Sequence, residues 1–241
     1  MKKRWKYIGI SLLVLAAAGV AAFLIWTQQT YKASPELEER TEIPSRIDGW
    51  ITYIPQGAVK GGIVLYPGAK VEPEAYSYIA ENLADDGYVT GIPEVTLNLA
   101  MLDSDKAEQL IDDYPNVKHW YVGGHSLGGV AAASFASRNM NEVDGLILLA
   151  SYPAGDDLSG TDFPILSIYG EKDGLTTLDK VEETKKLLSN QTTWKEIPGG
   201  NHGQFGVYGP QKGDKEAEIT VWEQQDIIIN DMTDWIQDME E

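Results

Sequence analysis

Residues 119–129 read His119-Trp120-Tyr121-Val122-Gly123-Gly124-His125-Ser126-Leu127-Gly128-Gly129, and this run decides the fold. Trp120, Tyr121 and Val122 are aromatic or β-branched and favour a pleated backbone. Residues 127–138 are rich in alanine and hold no proline, the composition of a helix. Between strand and helix, Gly124-His125-Ser126-Leu127-Gly128 fits G-x-S-x-G, a sharp turn that lifts a serine hydroxyl clear of a parallel sheet. Glycines on both sides let the turn tighten and neighbouring backbone approach. The serine stands at a helix start, where unpaired N–H groups and the helix dipole favour negative charge.

Outward from this turn, strand-like and helix-like segments alternate. Residues 49–55 (GWITYIP) read as an early strand and 62–66 (GIVLY) as one covered on both faces. Residues 73–86 predict a helix with Pro73 in its first turn and Gly87 after its end. Its Tyr76, Ile79, Ala80 and Leu83 recur at helical spacing. Residues 88–92, 144–150, 163–169 and 193–197 predict further strands. Residues 104–114, with Ser104 as cap, 176–188 and 219–239 predict helices. The alternation implies βαβ units, a parallel sheet and right-handed crossovers. Chemistry in such a sheet gathers at the carboxyl ends of the strands. Ser126, Asp173, His202 and the pair Gly68-Ala69 all follow directly after predicted strands.

The 241 residues suit one α/β domain. With 19 basic and 37 acidic residues the formal net charge is −18, and four of the bases lie within the first six residues. A body this acidic repels phosphate backbones, so nucleic acid is excluded as a partner. The absence of cysteine excludes disulfides, thiolate metal sites and a thiol nucleophile. Lys2, Lys3, Arg4 and Lys6 precede an apolar run over residues 7–26, long enough to cross a bilayer as one helix. Trp5, Tyr7 and Trp26 mark its ends, and the basic flank places the rest of the chain outside the cytoplasm. A cleaved signal peptide is the alternative, with Val20-Ala21-Ala22 as its site; the run continues to Trp26, which favours an uncleaved anchor. Residues 1–26 thus read as stub and anchor, 27–47 as a linker or loosely docked first turn, and 48–241 as the domain.

A serine hydroxyl needs an adjacent base to act as a nucleophile. His125 neighbours Ser126 and should point away from it; His119 opens the strand and should sit at its far end. His202 remains as the base, with Asp173 to hold its tautomer, and Glu171 and Asp162 as nearby substitutes. Backbone N–H groups of Leu127 and Ala69 are the candidate oxyanion donors. The plain structural readings are a turn serine, a turn aspartate, a loop histidine and, for Lys70, a solvated lysine. No phosphate loop and no histidine pair spaced for zinc is present, so neither cofactor nor metal is expected.

Through Tyr66-Pro67-Gly68-Ala69, Gly123-Gly124-His125-Ser126-Leu127-Gly128-Gly129, Tyr169-Gly170-Glu171-Lys172-Asp173 and Gly200-Asn201-His202, the chain resembles the α/β-hydrolase family. It is similar to compact bacterial members such as dienelactone hydrolases and small carboxylesterases. The order Ser126, Asp173, His202 is the order of that family's triad. Ser126 stands where dienelactone hydrolases carry cysteine, which implies a serine esterase acting on small acyl esters. Pro67-Gly68 replaces the His-Gly with which the family often opens the oxyanion loop. The interval 151–162 is too short for the family's helical lid, so the pocket should be open or walled by loops 95–102 and 204–208. The alternatives are an acyltransferase or peptidase on cell-envelope material, and a binding module that retains the fold without catalysis.

Overall fold

Seven strands form one sheet: β1 (Trp50–Tyr53), β2 (Gly61–Tyr66), β3 (Tyr88–Pro93), β4 (Trp120–His125), β5 (Gly145–Leu149), β6 (Ile165–Gly170) and β7 (Thr192–Ile197). The computed structural model describes residues 2–240, apart from the side chains of Lys2, Lys3, Arg4, Lys6, Ile8 and Glu240. Strand order is β1-β3-β2-β4-β5-β6-β7, with β1 antiparallel to β3 and every other pair parallel. Parallel strands need crossovers, and these are α2 (Ser77–Asp85), α3 (Lys106–Asp113), α4 (Leu127–Arg138) and α5 (Leu178–Thr184). An N-terminal helix, α1 (Lys2–Thr27), precedes the sheet and α6 (Val221–Glu240) closes the chain.

Alternation along each buried strand makes two cores. Ile63, Leu65, Tyr121, Ile147 and Leu149 meet Ile79 and Leu83 of α2 and Ile228, Met232 and Ile236 of α6. Val64, Tyr66, Trp120, Val122, Leu146 and Leu148 meet Leu110 of α3 and Ala131, Ala132 and Phe135 of α4. Each fully buried aliphatic side chain stabilises the sheet by about 1.5–3 kcal/mol. The register sets Tyr66 beside Gly124 and His125 beside Leu149, so the central strands end level with one another at their carboxyl edge.

Helix boundaries differ from expectation at three places. The segment from Pro73 begins as a 3-10 turn, Pro73–Tyr76, before α2. Ser104 does not cap α3: its carbonyl accepts from the Tyr66 hydroxyl at 2.7 Å and its hydroxyl accepts from Arg138 at 3.1 Å. The last crossover helix starts at Leu178, where the Thr177 side chain caps it through Lys180 N at 3.3 Å. No helix forms between β5 and β6 among the described residues.

Within α1, Gly9–Thr27 is long and apolar enough to cross a membrane. The expected basic flank of Lys2, Lys3, Arg4 and Lys6 has side chains outside the described residues. Thr27 is fully buried and its carbonyl accepts from Asn98 Nδ2 at 3.0 Å. The chain then docks on the domain. Tyr31 N donates to Lys70 O at 2.6 Å, Glu72 N donates to Tyr31 O at 3.0 Å, and Leu37 in the 3-10 turn Pro35–Glu39 is fully buried.

Candidate active site

The turn between β4 and α4 holds Ser126 at φ 51° and ψ −121°, a backbone region that costs on the order of 1–3 kcal/mol for a residue with a Cβ. Surrounding bonds hold it there. Ser126 N donates to Leu149 O at 3.0 Å, and its carbonyl accepts from Ser151 Oγ at 2.6 Å and Gly129 N at 3.0 Å. The flanking glycines are required by space: a Cβ on Gly128 would lie 2.2 Å from Tyr66 O, and one on Gly124 would lie 2.4 Å from the Gly128 carbonyl carbon. The end of β2, the end of β4 and the first turn of α4 are thus in direct contact.

Asp173 and His202 arrive from the loops after β6 and β7. Both are only 1% exposed, and His202 Nδ1 lies 2.8 Å from Asp173 Oδ2. The other carboxylate oxygen, Oδ1, accepts from Leu175 N at 2.7 Å and Thr176 N at 2.6 Å, which fixes the plane of the group. A carboxylate filled by donors assigns the hydrogen of His202 to Nδ1 and leaves a lone pair on Nε2. That Nε2 is buried and has no hydrogen-bond partner. The Ser126 hydroxyl is not hydrogen-bonded to it. The structure therefore joins Asp173 to His202 and leaves the third contact unmade.

The substitutes for the acid are engaged elsewhere. Glu171 accepts from Gly199 N at 2.9 Å and pairs with Lys172 at 3.1 Å. Asp162 lines a separate groove with Pro164 and Lys195 at the amino end of the sheet. His119 is also at that end, 3.5 Å from Asp144.

His125 is fully buried, with its ring centroid 4.6 Å from that of His202 and stacked on Phe205. Burial first, and then the adjacent His202, holds its pKa well below the usual histidine value, so it is neutral. Its Nδ1 lies 2.9 Å from the Tyr76 hydroxyl, which itself accepts from Gly68 N at 2.9 Å. The phenolic hydrogen is then directed at His125 Nδ1. In the same loop Lys70 N donates to Asn98 O and Val71 N to Gly68 O. Ala69 N and Leu127 N have no acceptor among the described residues, and both residues are partly exposed beside the elbow.

A cleft of about 180 Å³ opens over the serine, lined by Ser126, Leu127, Val130, Ala150, Ser151, Tyr152 and Thr176. A larger groove of about 560 Å³ is lined by Gln204, Gln211 and Lys215 and includes neither Ser126 nor His202.

The model of the Alpha/beta hydrolase family matches residues 62–226, more than half of the chain. The chain belongs to the α/β-hydrolase family. No curated protein matches it. Among solved structures, this α/β-hydrolase chain is similar to Est1E from Butyrivibrio proteoclasticus at 14% identity, with 80% of this chain and 97% of that one covered and a TM-score of 0.60. It is similar to esterase 2 of Thermogutta terrifontis, phosphoramylated by tabun, at 11% identity, 81% and 94% coverage and a TM-score of 0.59. A predicted CIB-like hydrolase from Thermoplasma acidophilum aligns at 13% identity, 80% and 97% coverage and a TM-score of 0.58. At these identities the likeness is one of fold.

Three features of this α/β-hydrolase chain differ from or go beyond the sequence reading. Neither loop 95–102 nor loop 204–208 lines the cleft; its wall comes from Ala150, Ser151, Tyr152 and Thr176, while Phe205, Val207 and Tyr208 are buried. Phe205 and Tyr208 belong to the core on the α2 and α6 face, and Val207 N donates to Ala75 O at 2.7 Å. Asp214 was not singled out: its carboxylate accepts from Gly174 N at 2.9 Å and Gly203 N at 2.8 Å, tying the loop of Asp173 to the loop of His202. Tyr76, read as a core residue, carries the hydrogen-bond link between Gly68 and His125 as well.

Proposed function

We propose that the chain is a membrane-anchored serine hydrolase, a carboxylesterase for small acyl esters, with Ser126, His202 and Asp173 as its triad. The observation that carries the reading is the buried His202–Asp173 pair at 2.8 Å, whose other imidazole nitrogen has no partner and whose ring adjoins the residue before the elbow serine. Ser126 Oγ attacks the ester carbonyl as its proton passes to His202 Nε2, which requires the two atoms to come within hydrogen-bond distance. Such contacts commonly tighten only when substrate binds. Asp173 stabilises the imidazolium. The unpaired amides of Leu127 and Ala69 receive the oxyanion, each worth about 3 kcal/mol in the transition state. The protonated His202 releases the alcohol, and water activated by the same nitrogen frees the acid. Of the three fold relatives, one is named as an esterase and another as a predicted hydrolase, which agrees with this chemistry. The 180 Å³ cleft suits a short acyl group. The apolar helix is read as an uncleaved anchor with the domain outside the cytoplasm, because the lysines and arginine precede it.

A fluorophosphonate probe tests the reading. Covalent label on Ser126, lost in Ser126→Ala and His202→Ala, is expected. A folded chain that takes no label would instead be a binding module.

A further inference from the structure

The anchor is fastened to the rim of the proposed site. Between Trp26 and Tyr31 there is no slack: Thr27 is buried with its carbonyl on Asn98 Nδ2, Thr30 Oγ1 donates to Glu72 at 2.9 Å, and Tyr31 forms a parallel bridge with Val71. Lys70 Nζ lies 4.4 Å from the Trp26 ring centroid. Trp26 ends the apolar run, the depth at which tryptophan marks the edge of a bilayer. Lys70 follows Ala69, and Gly128, two residues after Ser126, touches the backbone of Tyr66 and Pro67 in the same loop. The bilayer edge and the elbow are thus separated by one short loop.

The rest of the carboxyl edge is suited to that position. Met101 and Leu102, in the segment after β3, and Leu175 and Leu178, after β6, are large apolar residues left 39–55% exposed on either side of the elbow. Among the described residues no helix lies between β5 and β6 to cover the cleft, which leaves that side open to a substrate.

We infer that the substrate is a short-chain ester carried by a membrane lipid without net negative charge, taken while the lipid stays in the bilayer; the inference rests on the serine-hydrolase and anchor readings above. The short acyl group occupies the small cleft and the lipid portion lies along the apolar rim. A net charge of −18 on the chain disfavours an anionic headgroup. Ser126 Oγ bonds to the acyl carbon, its proton moving to His202. The acyl–oxygen bond to the lipid breaks, that proton leaving on the lipid alcohol. Water then cleaves the acyl-serine to the free acid and restores the hydroxyl.

The experiment places the full chain in phosphatidylcholine nanodiscs that contain 1,2-dioleoyl-3-acetylglycerol, and measures acetate release beside hydrolysis of p-nitrophenyl acetate in water. The comparison chain carries a Gly/Ser insert of about 12 residues between Gln28 and Gln29, spanning roughly 17–20 Å, together with Asn98→Gly. Asn98 has φ 56°, so glycine removes the amide without straining the backbone. Acetate release from the disc should fall about tenfold in the insert chain, with p-nitrophenyl acetate turnover and probe labelling unchanged. Equal release by the two chains overturns the inference, as does a wild type that cleaves the soluble ester and leaves the lipid ester intact. A wild type that takes no probe and cleaves neither ester refutes the serine-hydrolase reading itself, and the inference with it.

Discussion

Removing one oxygen atom, in Tyr76→Phe, separates what the elbow needs from what the core needs. The phenyl ring stays in its fully buried place, and only the link from Gly68 N to His125 Nδ1 is lost. Two buried polar groups are left without partners, each costing about 1–3 kcal/mol, so the fold should lose about 2–6 kcal/mol. Tyr66→Phe is the matched control. Its hydroxyl donates to Ser104 O at 2.7 Å and accepts from Ala107 N at 2.8 Å, in the opposite core, and its loss should cost a similar amount. The two variants should part in catalysis. Freed from Tyr76, the Gly68 peptide no longer fixes the neighbouring Ala69 amide; losing half of a donor's roughly 3 kcal/mol lowers kcat about tenfold. Urea unfolding in micelles gives the stability, and p-nitrophenyl acetate kinetics give kcat and KM. The reasoning fails if Tyr76→Phe loses as much stability as Tyr66→Phe while its kcat stays within twofold of wild type. It fails equally if removal of the hydroxyl costs less than about 0.5 kcal/mol, since that would mean the buried groups find water or new partners.

Asp173→Asn should keep the loop intact through the oxygen that serves Leu175 and Thr176, while its NH2 opposes the Nδ1 hydrogen of His202 and favours the wrong tautomer. Its kcat on the soluble ester should drop by about 10³–10⁴, and a loss under tenfold would remove Asp173 from the triad. Neutral His125 makes stability depend on acid: the unfolded chain binds a proton near pH 6.5 that the folded one excludes. Stability should therefore fall by up to about 1.4 kcal/mol for each pH unit below about 6.5. Against Tyr76 and His202, the polar groups facing that ring, His125→Gln keeps a polar side chain but cannot titrate, and its stability curve should be flatter between pH 6.5 and 5. Parallel curves for the two chains would sink the assignment.

Much of this was open to reading because the sheet is parallel and covered on both faces. Residues 62–66 and 145–150 are apolar without interruption, and such runs admit few alternatives. Ser126, Asp173 and His202 were accessible for a related reason: each follows a strand, and a parallel sheet collects strand ends at one edge. Helix starts were less legible. Ser104 has the chemistry of a cap, yet its groups are taken by Tyr66 and Arg138, partners 38 and 34 residues away. Asp214 and the polar role of Tyr76 escaped notice for the same reason, since both rest on bonds to other segments of the chain. Phe205 and Tyr208 looked like pocket walls because a glycine-rich loop is usually superficial; here the loop is tied down through Val207 N to Ala75 O and the two rings join the core.

Asp214 carries a lesson for anyone remodelling this protein. Because one side chain clamps Gly174 and Gly203 together, the acid and the base ride on a shared rigid strut. Recoding 210–212, ahead of the clamp, is compatible with an unmoved imidazole so long as that carboxylate survives, whereas Gly213, at φ 94° with its carbonyl packed against Gly174, belongs to the strut. Diversity for new substrates is best introduced at Tyr152, which lines the cleft over the serine, and position 214 is best left alone.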